Sequence, residues 1–63
     1  MQIAYKEVKN VQEVKYIIYL MVDETPIQAY LVESEEEKNY QIQTLLISNS
    51  VNKITKLENK LHV

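Results

Sequence analysis

The chain has 63 residues, seven basic and nine acidic, for a net charge of −2; residues 1–63 form one small domain burying only roughly 60% of its unfolded surface. It contains neither cysteine nor glycine, which excludes disulfide staples, thiolate metal sites and the glycine-rich loops that cradle phosphates. Every basic residue is a lysine and every aromatic one a tyrosine, so the guanidinium fork suited to bidentate phosphate and base contacts is missing.

Residues 1–9 alternate loosely, with Met1, Ile3 and Tyr5 on one face and Gln2, Ala4 and Lys6 on the other. This reads as a first strand, with a turn over residues 10–13. A valine every third residue (Val8, Val11, Val14) would also fit a helix, but a short, uncapped, valine-rich helix is a poor one.

Residues 14–22 and 27–32 are rich in β-branched and aromatic side chains and form the central hairpin. Asp23, Glu24, Thr25 and Pro26 are expected as a four-residue loop, since proline cannot donate to a ladder. That loop sets Leu20 opposite Ala29, Ile18 opposite Leu31 and Tyr16 opposite Glu33 on one face. It sets Met21 opposite Gln28, Tyr19 opposite Tyr30 and Ile17 opposite Val32 on the other. A slip of one residue would exchange the faces of a strand.

Residues 33–39, ESEEEKN, read as a solvated loop. The functional reading is an acidic partner-binding surface made of Glu33, Glu35, Glu36 and Glu37. Ser34 and Glu37 also match a capping box that would start a helix. Residues 40–48 alternate with a period of two and are expected as a fourth strand. The competing reading is a helix over 35–61 with Tyr40, Ile47, Ile54 and Leu61 on a heptad seam. Strand is preferred, because Ser48, Asn49 and Ser50 are weak helix formers. Residues 50–63 then read as an amphipathic helix, with Val51, Ile54, Leu57 and Leu61 on one side and Lys53, Lys56 and Lys60 opposite. A fifth strand is the lesser alternative there.

The expected fold is α+β: a small antiparallel β-meander of three to four strands with one C-terminal amphipathic helix. The alternative is a β-hairpin followed by one long C-terminal helix. In either case residues 14–22 are apolar at both parities, the mark of a strand covered on both sides. One helix covers one side only. Self-association, most simply as a homodimer, is therefore expected through Ile17, Tyr19, Met21, Tyr30 and Val32.

Catalytic chemistry has no foothold. His62 is alone and near the end, Ser34, Ser48 and Ser50 lack a positioned base, and the glutamates lack the spacing and turn glycine of a calcium loop. No enzyme activity, cofactor or metal is expected. Nucleic-acid binding would rest on Lys53, Lys56 and Lys60 alone, a weak footprint in a net-negative chain. No apolar run reaches the ~18 residues of a membrane span, and no signal peptide is visible at the N-terminus, so a cytoplasmic protein without membrane contact is expected. The functional expectation is a small non-enzymatic interaction module, a regulator or inhibitor that occupies a protein partner's surface. A tiny, glycine-free, arginine-free chain of this kind would suit a phage or mobile-element accessory protein.

Overall fold

The computed structural model describes residues 1–9 and 11–57. It shows three strands, β1 (Gln2–Lys9), β2 (Val14–Val22) and β3 (Thr25–Val32), then a helix, α1 (Glu35–Ser48), and a last strand, β4 (Lys53–Leu57). The four strands form one mixed sheet in the order β3-β2-β1-β4. β1, β2 and β3 are the expected antiparallel meander, and β4 lies parallel to β1. The α+β class stands as expected, with one helix among the described residues, at 35–48 and not over 50–63.

The connection between β2 and β3 decides the rest. The expected four-residue loop is a two-residue turn, Asp23 and Glu24, with φ of 51° and 65°. Two consecutive left-handed residues are the signature of a type I′ hairpin turn, whose twist matches that of the flanking strands. In a chain without glycine the left-handed positions fall on an aspartate, which tolerates them, and a glutamate, which does so at a cost. Thr25 and Pro26 thus belong to β3, and Val22 faces Thr25. A register shift between Leu20 and Met21 absorbs the extra residue Ile27, and from there Leu20 faces Gln28, Tyr19 faces Ala29, Ile18 faces Tyr30, Ile17 faces Leu31 and Tyr16 faces Val32. Every pairing beyond the bulge is one residue away from the expected one, so β3 presents the opposite parity to each face.

The helix starts where an acidic loop was expected. Ser34 caps it, accepting the Glu37 N–H at 3.1 Å, and the Glu37 carboxylate reaches back to the Glu33 N–H at 3.4 Å. Glu35, Glu36 and Glu37 fill the first turn, where three carboxylates meet the positive end of the helix dipole. The expected strand over 40–48 is therefore helical. Its alternation is overridden because Ile42 and Leu45, a turn apart, are the residues α1 buries, while Tyr40 and Ile47 point to solvent. Asn49 ends the helix, its backbone N–H and side-chain amide both donating to the Leu45 carbonyl.

The helix expected over 50–63 is likewise replaced. Asn52 N–H donates to the Met1 carbonyl at 2.9 Å and the Met1 amine to the Ser50 carbonyl at 3.1 Å. These bonds seat residues 53–57 beside β1, with Ile3 level with Ile54 and Tyr5 with Lys56. The rest of that expected helix, including Lys60, Leu61 and His62, lies outside the described residues.

One core results, between α1 and one face of the sheet. Ile3, Tyr16, Ile18, Leu20, Val32, Ile42 and Leu45 are buried together, with Tyr5, Tyr30 and Val51 packed against them. Ile3 and Ile18 are fully enclosed, and they lie near the middle of that face.

The turn and the cap are separately testable by urea unfolding. Glu24→Gly relieves a left-handed side chain and is expected to raise stability by about 1 kcal/mol. Ser34→Ala removes the cap and is expected to lower it by about 1 kcal/mol.

Candidate interaction surface

The helix leaves the second face of the sheet uncovered by any other described element. From the strand registers, that open face carries Ala4, Lys6 and Val8 of β1, Lys15, Ile17, Tyr19 and Met21 of β2, Ala29 and Leu31 of β3, and Lys53, Thr55 and Leu57 of β4. Its middle is apolar apart from Lys6, which stands between Ile17 and Leu57, while Lys15 and Lys53 lie toward its margins. Lys6, Tyr19, Met21, Pro26 and Leu57 line a shallow depression of about 290 Å³ that runs across all four strands. The Lys6 Nζ lies 5.9 Å from the centre of the Tyr19 ring, within cation–π range. Ala4 is 4% exposed although no helix lies over it. It is sealed by its larger neighbours, among them Tyr19, directly opposite on β2.

The expected self-association set divides between the two faces. Ile17, Tyr19 and Met21 are half-buried on the open face, as expected. Tyr30 and Val32 face Ile18 and Tyr16 and belong to the core beneath α1. The corrected register puts Ala29 and Leu31 in their places, and Leu31 is 63% exposed. No Tyr19–Tyr30 pair exists.

The acidic candidates are shared between two tasks. Glu33 and Glu13 approach Lys15 at 3.9 and 3.5 Å, exposed pairs of small energetic weight. Glu35 and Glu36 stand exposed in the first turn of α1, while the Glu37 carboxylate accepts from the Glu33 N–H just before the cap. Among the described residues no three acidic or histidine side chains are grouped to hold a metal ion. The lysine stripe also dissolves. On a strand, Lys53 and Lys56 point to opposite faces, Lys53 beside Gln2 and Lys56 beside Tyr5, and Lys60 lies outside the described residues. No described helix is long and apolar enough to cross a membrane.

A second cluster, absent from the sequence reading, joins helix and sheet. The Lys38 Nζ lies 4.7 Å from the Tyr5 ring centre and 5.2 Å from that of Tyr16. The Tyr16 hydroxyl donates to Glu7 Oε2 at 3.3 Å. Tyr5, Glu7 and Tyr16 share the core face through their register. The only lysine of residues 33–39 was a signal that could have pointed here, because a lysine amid carboxylates at a helix start opposes the dipole and wants another partner.

Burial, with Tyr16 7% exposed, raises its phenol above the ordinary 10.0; the charges of Glu7 and Glu35 and the hydrogen bond to Glu7 add to the shift. The fold therefore favours the protonated phenol. Its stabilising contribution is complete below the unfolded value and is lost as pH rises from there through the folded value. Urea midpoints measured across alkaline pH are expected to fall from about pH 10 upward. Tyr16→Phe is expected to flatten that fall, and an absorbance titration should show one of the five tyrosines ionising late.

No family model matches this chain, and neither a curated protein nor a solved structure is significantly similar to it.

Proposed function

We propose that this protein is a small non-enzymatic interaction module, a regulator or inhibitor that acts by occupying the surface of a protein partner through the open face of its sheet. The observation that carries this reading is the composition of that face. Ile17, Tyr19, Met21 and Leu31 form an apolar patch, joined to Leu57 across the Lys6 stem, with no covering element among the described residues. A sheet with one solvated face normally presents a polar row there, and an uncovered apolar face rimmed by charge is the usual mark of a contact surface. A cytoplasmic setting and an accessory role in a phage or mobile element fit the small size and the composition. The occupant of this face is a different protein and not a second copy, and on it Ala29 and Leu31 take the places first given to Tyr30 and Val32. The nucleic-acid alternative loses its geometric basis with the lysine stripe, so protein is the preferred class of partner.

The test is capture from a host lysate on the immobilised protein, run beside Tyr19→Glu with folding checked by circular dichroism. A stoichiometric protein retained by the parent chain and bound at least about tenfold more weakly by the variant, roughly 1.4 kcal/mol, is the expected outcome. Equal retention by both chains, or no stoichiometric partner, would reject the open face as the working surface.

A further inference from the structure

We propose that the outer edge of β3 is a self-pairing edge, where two copies of the chain join antiparallel across a two-fold axis into one eight-stranded sheet. This contact is distinct from the open face and does not depend on the function proposed for it.

The sheet has two edges, and they differ in kind. Alternate residues of an edge strand direct their N–H and C=O groups away from the sheet, and proteins guard such a row with charge, proline, bulges, shortness or a covering element. β4 follows that rule, being five residues long with Lys53 on one face and Lys56 on the other. β3 does not. It has eight residues and none is charged. Its proline and its bulge both sit at the turn end, leaving Gln28–Val32 in unbroken register with β2. Nothing pairs with its outer side among the described residues. Most of β3 is exposed, Ile27 by 50% and Leu31 by 63%.

The occupant that fits is a second copy. A charged strand would find no opposite charge on β3, whereas an antiparallel copy sets neutral side chains against neutral ones at every rung. The two-fold arrangement is also the commonest closure for a self-complementary patch. The Tyr30 hydroxyl already donates to Gln28 Oε1, which satisfies within one strand the polar side chains that would otherwise be set against the copy. The acidic groups, Asp23 and Glu24 at one end and Glu33 at the other, flank the strand and stay off its rungs. They approach those of the copy at the ends of the joint, so salt should strengthen the dimer. An association driven by opposite charges would weaken instead. A strand-edge joint buries less than the roughly 800 Å² per partner of a standard interface, so a dissociation constant of the order of 100 µM is expected.

Sedimentation velocity on the whole chain, from about 10 µM to about 1 mM at low and at moderate salt, tests this. The expected result is a monomer–dimer equilibrium that tightens with salt. Gln28→Lys combined with Ala29→Lys places a charge on each side of the edge at exposed positions, and should weaken the dimer at least tenfold. Tyr19→Lys, in the centre of the open face, should leave it unchanged. Amide exchange on the unsubstituted chain supplies a readout that needs no variant, with concentration-dependent slowing expected in β3 and none in β4. A monomer throughout the range, an edge variant that dimerises like the parent, dimer loss in Tyr19→Lys, or slowing confined to β4 would each overturn the proposal.

Discussion

The turn at Asp23 and Glu24 and the bulge at Ile27 together determine which side chains of β2 and β3 share a face. The tight turn fixes Val22 against Thr25, and the bulge then fixes every pairing down to Tyr16 and Val32. With that parity, Tyr30 and Val32 close the core beneath α1, and Ala29 and Leu31 go to the open face. Without the bulge the same turn would set Leu31 against Tyr16 on the core face and move Val32 to the open one. Because the turn lacks glycine, this arrangement is held against a local conformational cost by the strand pairing on either side of it.

The core is correspondingly small. Among the described residues only Ile3 and Ile18 are fully enclosed, and α1 contributes only Ile42 and Leu45 as buried residues. Such a helix gains little from apolar burial and depends on its ends and on polar ties. Ser34 takes the Glu37 amide, the Glu37 carboxylate holds the Glu33 amide just before the cap, three glutamates meet its dipole, Asn49 closes its last turn, and Lys38 reaches back to the rings of Tyr5 and Tyr16. The Met1 amine and carbonyl tie the segment after the helix to the start of β1, which puts both ends of the described chain in adjacent strands.

The α+β class, the first strand and the central hairpin were legible because they rest on local alternation. The register was not, because the usual signal for a type I′ turn is Asn-Gly or Asp-Gly, and Asp-Glu followed by Thr-Pro looks like a longer loop. The helix was hidden for a different reason. With only Ile42 and Leu45 buried in a helix of 14 residues, its periodicity is fainter than the accidental alternation of Tyr40, Ile42, Thr44 and Leu46, and its acidic first turn resembles a solvated loop. The capping pair Ser34 and Glu37 was the correct signal, and it was outweighed. β4 was obscured by the helical spacing of Val51, Ile54 and Leu57, since a parallel edge strand depends on a neighbour some fifty residues away and leaves little trace in its own sequence. Of the open face, Ile17, Tyr19 and Met21 were identifiable from the double-parity apolar run of β2. Ala29 and Leu31 required the bulge at Ile27.

The distribution of charge follows from the same helix start. The dipole of α1 draws Glu35, Glu36 and Glu37 to its first turn on the covered side of the sheet, and Glu7 joins them there through Tyr16. The open face is left with Lys6, Lys15 and Lys53. Long lysine stems can lie over apolar surface while their ammonium groups stay wet, and Lys6 over Tyr19 does this at the centre of the face. A cation–π contact at a partly exposed site contributes only ~0.5–1 kcal/mol, so displacing that stem from the ring costs little. The open face is thus sheltered by side chains that move by rotamer changes, while the covered face is held by a helix tied at both ends. A partner of the proposed kind would therefore displace only side chains on the Tyr19 side of the sheet and leave the ties of the fold in place.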